Sequence, residues 1–439
     1  MMITHIERAM KKALKDGVNE LASEVGLIQR ECKISGQSLV QGLVFGLMGN
    51  PTASETAVAQ SVGRAGQAVT SQAVNARLNE AASRLFQRVL ERVTQIVVAP
   101  SVRTQTLLDR FSEVNVHDST TIGLPEALSE VWTGCGSRTG KGQSALKLQV
   151  QWDLRSGCLK QLTLHDGRSQ DRSAPVQTSD VAAGSLRVAD LGYFAVSAFE
   201  RVGQAHAYWL TRYLSGVVLL TPAGTRIDLP RWLDAHCTHD QHVDVSVLVS
   251  VEHRLPARLV AIRVPQSVAD ERRRKLHDKA RQKGQTVSTL TLALANWSVF
   301  LTNVPLSLLS VDELLVIVRA RWQIELLFKL WKSSGRIDES RSRKPFRILC
   351  ELYAKLIGQL IQHWLILYTC WSHPNRSLVK AAAAICACAT CLLLAVRNSS
   401  PRALAETIDL IARSVAATCR ISKRSKKLAL FQLLTLDHA

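Results

Sequence analysis

Acidic residues are in short supply in this 439-residue chain: 36 Asp and Glu stand against 55 Lys and Arg, a formal net charge of +19. A surplus of that size, gathered in clusters, favours a polyanionic partner through phosphate neutralisation and counterion release. Long apolar runs are also missing. The longest, Ala381 to Val396, falls short of the ~20 residues that a bilayer-spanning helix needs, and many of its residues are small. It is read as a buried helix, and no membrane partner is expected. The first thirty residues carry charges throughout with no uninterrupted apolar core, which excludes a secretory signal and makes the cytoplasm the expected location. Ten cysteines are present, yet they lack the company of a metal site. Cys386, Cys388 and Cys391 sit among Ala and Leu with no further ligand, so they are expected to be free thiols packed in a helix. A nucleotide loop is lacking as well: GCGSRTGKG, around Gly134 and Gly140, does not match G-x-x-x-x-G-K-[ST], and ATP use has no support.

What is present changes character along the chain, whose length predicts two to four structural units. Residues 1–105 read as helical, with apolar positions recurring at three- and four-residue steps, as in Leu78, Ala81, Ala82, Leu85, Val89 and Val93. Between Pro51 and Leu90 the pattern is two helices about a Gly-containing turn, with Ser54 capping the first and Thr70 or Ser71 the second. The second helix would present Gln72, Asn75 and Arg77, side-chain types that reach base edges and phosphates. A plain helical bundle fits the same pattern.

From residue 106 to 215, FSEVNVHDSTTI, SALKLQVQWDL, CLKQLTLHDG, SLRVADLGYF and AYWLTRYL read as strands, with a short helix at Ala195 to Val202. Residues 216–300 are again mostly β, interrupted by the basic DERRRKLHDKARQKG, expected to be a solvated helix face. Residues 301–350 include one long helix from Val311 to Lys332, and 351–439 are helical with a basic end, RISKRSKK. Strands with helices packed on them indicate an α/β core flanked by helical N-terminal and C-terminal regions.

Asp118 follows the apolar part of one predicted strand, Asp190 ends another, and Glu325 lies on the long helix. Adjacent strands and a facing helix can bring such carboxylates together, and hard oxygen ligands suit Mg²⁺ or Mn²⁺ rather than zinc. Two such ions would serve an in-line displacement at phosphorus. Around Glu325 the predicted helix sets Arg321, Phe328, Lys329 and Lys332 on the same face. Cations there would hold a phosphate backbone without reading its sequence; an amphipathic helix with intrahelical salt bridges is the bland alternative.

RWQIELLFKLWK resembles the signature of the IS4 family of insertion-sequence transposases: Tyr, two residues, Arg, three, Glu, six, Lys. Arg321, Glu325 and Lys332 fall at those intervals, and Val318 stands where the family has Tyr. VHDST and VADLGYF resemble the family's two aspartate motifs, and FLTNVP its segment before the catalytic helix. The resemblance runs from about 108 to 365. It implies an RNase H-like catalytic core with a mostly β insertion between Asp190 and Glu325. Asp118, Asp190 and Glu325 would bind two Mg²⁺ or Mn²⁺ ions, and Arg321 and Lys332 would touch the DNA backbone. The partners implied are double-stranded DNA, as transposon ends and target, and a second copy of the chain in a DNA-bound homodimer. The location implied is the bacterial cytoplasm, at the nucleoid. By the same resemblance Trp297, in LANWSVFLTN, falls where related hairpin-forming transposases carry a tryptophan that stacks on an extruded base; a core residue of an apolar strand is the plain alternative. Lys329, Gln72, Asn75 and Arg77 are added from the residue pattern alone.

Other polar residues invite plainer explanations. His117 points to the strand face opposite Asp118, which predicts a structural role. Asp166 and Asp171, in HDGRSQDRS, suit turn chemistry. Two further functions remain open on the sequence: a DNA-binding protein derived from a transposase that has lost catalysis, and an RNase H-like nuclease without strand transfer.

Overall fold

The computed structural model describes residues 2–30, 32–98, 107–135, 144–171, 174, 177–237, 242–371, 373, 375–398 and 400–421. Most of the glycine-rich loop around Gly140 and the basic tail from residue 422 lie outside them. The chain folds as two compact units. The first takes Met1–Gln105, Asp118–Ser169 and Trp322–Thr435; the second takes Thr106–His117 and Gln170–Arg321.

The first unit is mostly helical. Its leading segment forms α1 (Met2–Leu14), α2 (Val18–Glu24), α3 (Gly36–Gly49), α4 (Glu55–Ala65), α5 (Ser71–Arg77) and α6 (Glu80–Thr94). Ser54 and Thr70 cap α4 and α5 as the sequence predicts, each accepting a backbone N–H at 3.2 Å, from Ala57 and Ala73. The expected second helix stops early. Asn79 starts α6 by accepting the Ala82 amide at 3.1 Å, so one predicted helix becomes two. Gly42 allows α3 and α4 to touch: a Cβ there would lie 2.4 Å from the Val62 Cα, a separation only glycine tolerates.

The unit's last segment supplies α12 (Gln323–Ser333), α13 (Pro345–Cys370), α14 (Leu378–Ala387), α15 (Ala389–Arg397) and α16 (Pro401–Thr418). Buried on almost every side, α13 is the spine against which α6, α3 and α14 pack. The run from Ala381 to Val396 is not the single helix expected: α14 and α15 meet at Cys388 with a bend of 55°. Among the described residues no single helix is long and apolar enough to cross a membrane, although this bent pair meets the length and composition. All ten cysteines are free thiols. A hairpin of β2 (Ser144–Asp153) and β3 (Leu159–Asp166) completes the unit.

In the second unit the sheet order is β1-β4-β5-β9-β8-β7-β6, from β1 (Val114–Leu124, which runs on into the first unit from Asp118), β4 (Leu186–Ala189), β5 (Tyr208–Arg212), β6 (Leu219–Leu220), β7 (His242–Val249), β8 (Leu255–Arg263) and β9 (Trp297–Thr302). The first three are parallel, with Val116 level with Val188 and Ala189 with Thr211; the remainder pair antiparallel. The helices are α7 (Val196–Gln204), α8 (Leu229–His236), α9 (Gln266–Gln282), α10 (Thr289–Ala293) and α11 (Val311–Arg321). Of α9, which carries most of the basic stretch, only Ala269 just before that stretch is buried, as a solvated helix requires. Its Arg272 ties it down by donating to the Trp297 carbonyl and Ser298 Oγ, both at 2.9 Å.

The predicted single helix from Val311 to Lys332 is also two helices, α11 and α12, divided at Trp322. The Trp322 carbonyl accepts from both Glu325 at 3.2 Å and Leu326 at 3.3 Å, so the backbone tightens there into an i to i+3 turn.

Within the second unit Arg110 grips Glu313 at both oxygens, Nη2 to Oε1 at 2.6 Å and Nη1 to Oε2 at 2.9 Å. Burial works to raise the Glu313 pKa, but the Arg110 contacts and the Ser310 amide overcome it and hold the carboxyl at about 2, below its ordinary 4.5. A depressed folded-state pKa means stability present above pH 4.5 and lost as the pH falls toward 2. A melting curve should therefore drop across that window, and Glu313→Gln should flatten the drop. An equally steep fall in the variant would assign the loss to other groups.

Candidate active site

Alternation along β1 puts Asn115 and His117 on one face, and Val114, Val116 and Asp118 on the other. His117 is buried beside Tyr193, ring centroids 6.1 Å apart, in the structural position expected of it. Asp118 follows on the half-exposed part of the strand, and its Oδ1 accepts the Ser119 amide at 2.8 Å. Asp190 leaves the end of β4 and opens a 3-10 turn, Leu191–Tyr193. Arg321, at the end of α11, brings its Nη2 to 3.8 Å from the Asp190 Oδ1. Glu325 sits half-buried in the first turn of α12, between the buried Ile324 and Leu327.

Lys332, two turns further along α12, donates to the Thr121 carbonyl at 3.3 Å and so ties the helix to the strand that carries Asp118. Lys329 is exposed. The shared face expected around Glu325 is interrupted in two ways. Arg321 lies before the break at Trp322, and Phe328 turns inward against Trp331, ring centroids 6.0 Å apart, because an aromatic ring gains more from burial than from a wet face.

Three expected DNA contacts need correction. Trp297 is 3% exposed, opens β9 within the apolar core of the second unit, and has the Arg263 guanidinium over its ring at 5.5 Å. An indole so placed is packing, not a stacking platform open to a base. Asn75 is held between Glu55 and Arg347, each at 2.5 Å, and Arg77 donates to the Leu27 carbonyl at 3.0 Å. Of the α5 trio, Gln72 is the one left exposed. Asp166 and Asp171 lie in turns, their carbonyls accepting the Ser169 amide at 2.9 Å and the Ala174 amide at 3.2 Å, and the Asp166 side chain also reaches outside its turn to accept the Thr133 amide at 3.1 Å.

Among the described residues no three His, Cys, Asp or Glu side chains are gathered closely enough to hold a metal ion. By kind, Asp118, Asp190 and Glu325 still fit one. They offer carboxylate oxygens without thiolate or imidazole, the donor set of Mg²⁺ or Mn²⁺, and the Asp190 side chain is 37% exposed and open to an arriving ion.

A family described as "Transposase DDE domain" matches residues 109–360, more than half of the 439, and the match includes all three carboxylates. The chain belongs to the DDE transposase family. The transposase for insertion sequence element IS231F of Bacillus thuringiensis subsp. israelensis is 26% identical over 383 residues, covering 80% of this chain and 78% of its own length. The putative transposase InsL for IS186A of Escherichia coli (strain K12) is 27% identical over 233 residues, 51% of this chain and 62% of that one. Both are transposases of IS4-family elements, the family whose signature the sequence resembles. A solved piggyBac transposase synaptic complex with hairpin DNA aligns over 96% of this transposase and 86% of its own chain, at 11% identity and a TM-score of 0.46.

Proposed function

We propose that this DNA transposase cleaves and joins insertion-sequence DNA with Asp118, Asp190 and Glu325 as the carboxylates that hold its divalent ions. The observation that carries the reading is the match of the transposase DDE domain family over residues 109–360, which takes in all three carboxylates at the family's intervals. Glu325 stands at its interval between Arg321 and Lys332, and Lys332 already reaches back to β1.

Two Mg²⁺ or Mn²⁺ ions, when bound, supply activation of the attacking oxygen and stabilisation of the leaving one. The chain's own residues do the rest. The carboxylates fix the ions in place. Arg321 and Lys332, with the exposed Lys329 beyond them, bear on the phosphate backbone near the cut. Water is the attacking group in cleavage and a 3′-hydroxyl in strand transfer; either displaces one ester oxygen at phosphorus. The same reading takes the parallel strands β1, β4 and β5 with their helices as an RNase H-like core and residues 216–300 as its insertion. It takes Gln72 of α5 as a contact to the transposon ends, and it takes the working form as a homodimer on end and target DNA.

Lys332→Ala provides the test. Lys332 makes one 3.3 Å contact to a backbone carbonyl, so its loss should leave the melting temperature nearly unchanged. Cleavage of end DNA should slow by roughly 10–100-fold, the effect of losing a charge-assisted phosphate contact worth about 1.5–3 kcal/mol. A variant that cleaves as fast as its parent would confine Lys332 to tying α12 to β1.

A further inference from the structure

The sheet face opposite the one bearing Asp190 carries a row of buried polar groups, all in the second unit. The register sets Asn115 of β1 beside Arg187 of β4, and Arg187 beside Trp209 of β5. Arg187 is 4% exposed, and among the described residues no carboxylate pairs with it. Burial lowers its pKa to about 10; Tyr193 opposes that shift and the neighbouring Arg201 adds to it. Its Nε is buried without a hydrogen-bond partner. A buried cation without a counter-charge costs stability, and apolar residues of similar volume often replace such groups at no loss. Something other than stability has to account for this arginine.

The hydrogen bond it makes among the described residues indicates what. Arg187 Nη2 donates to Gln177 Oε1, and Gln177 Nε2 donates to the Tyr193 carbonyl at 2.9 Å. The Gln177 backbone carbonyl is held in turn by Arg201 Nη2 at 2.7 Å. Tyr193 closes the turn that Asp190 opens, its amide donating to the Asp190 carbonyl at 2.9 Å. A guanidinium has donors and no acceptor, so it can face only the oxygen of the Gln177 amide. That choice leaves the amide nitrogen aimed at Tyr193.

We propose that Arg187 is a positioning residue for Asp190, acting through Gln177 to hold the turn Leu191–Tyr193 and with it the aspartate that opens the turn. The inference rests on Asp190 being a metal ligand. Groups that orient a ligand from behind commonly change metal affinity by about 10–100-fold when removed.

Two full-length variants test it. Arg187→Met removes the buried charge and the constraint on Gln177. Gln177→Glu gives the guanidinium a carboxylate but deletes the donor to Tyr193. Both should melt at or above the parental temperature, and both should bind Mn²⁺ roughly tenfold or more weakly, read from the electron paramagnetic resonance signal of free Mn²⁺. Asp190→Asn is the control. If it weakens Mn²⁺ binding while both other variants keep parental affinity, the positioning role is wrong and the metal site stands. If Asp190→Asn binds Mn²⁺ like the parent, Asp190 is no ligand and the inference falls with it. Should both Arg187→Met and Gln177→Glu melt well below the parent, Arg187 is a stabilising core residue and the positioning role is likewise overturned.

Discussion

Asp118→Asn, Asp190→Asn and Glu325→Gln should each eliminate cleavage and strand transfer while leaving DNA binding in place. A neutral amide is a poor ligand for a hard divalent ion, so each replacement removes one anchor from a set that works only when complete. A loss of at least 10³-fold, about 4 kcal/mol of barrier, is expected for every single variant. Binding survives because it rests on the +19 charge of the chain rather than on three acidic groups. Ca²⁺ should permit assembly on DNA without turnover, and EDTA should stop the reaction. Measurable cleavage by any one of the three variants, or full activity in EDTA, would remove that residue or the metal from the mechanism.

Trp297→Ala should destabilise the fold by about 3–5 kcal/mol, the effect of emptying a buried indole site. Trp297 shares its core with Trp209, Leu259 and Leu301, and its carbonyl anchors Arg272 of α9. Its removal therefore opens a cavity under the strand whose backbone anchors an exposed helix. Chemical denaturation should show the lower midpoint, and nicking and the later strand steps should slow together. A variant of parental stability that nicks normally but stalls at the second strand would instead restore the base-stacking role that the sequence suggests.

That contrast marks where sequence reading works on this chain and where it fails. Strands β1 to β5 and the caps at Ser54 and Thr70 were legible because alternation and capping are local. Asp118, Asp190 and Glu325 rest on motif spacing and on the family match that includes them. The base-stacking expectation for Trp297 came from the family resemblance alone; its apolar neighbours already suit a core strand, and its burial is completed by β8 and the core across the sheet. Asn75 and Arg77 read as free because Arg347 and Leu27, which engage them, lie far away in the chain. The break at Trp322 left no trace in the apolar periodicity, since α11 and α12 each keep it. Arg187 went unnoticed because one cation in LRVAD looks ordinary until the strands on both sides bury it. An arginine between apolar residues at an inward position of a central strand was the signal available.

The interleaving of the two units has a consequence for synthesis on the ribosome. α1 packs against α13 and α16, and the whole second unit is encoded between α1 and those partners. At ~5–20 residues per second, roughly 20–80 s separate the translation of α1 from that of α16. The second unit has its full sequence well before then. Ile6, Met10 and Leu14 are buried on α1, which meets α3 and α6 early but completes its cover only when α13 and α16 arrive. A nascent chain stopped short of α16 would thus carry an incompletely covered apolar helix, a natural point for a chaperone to hold it or a protease to discard it.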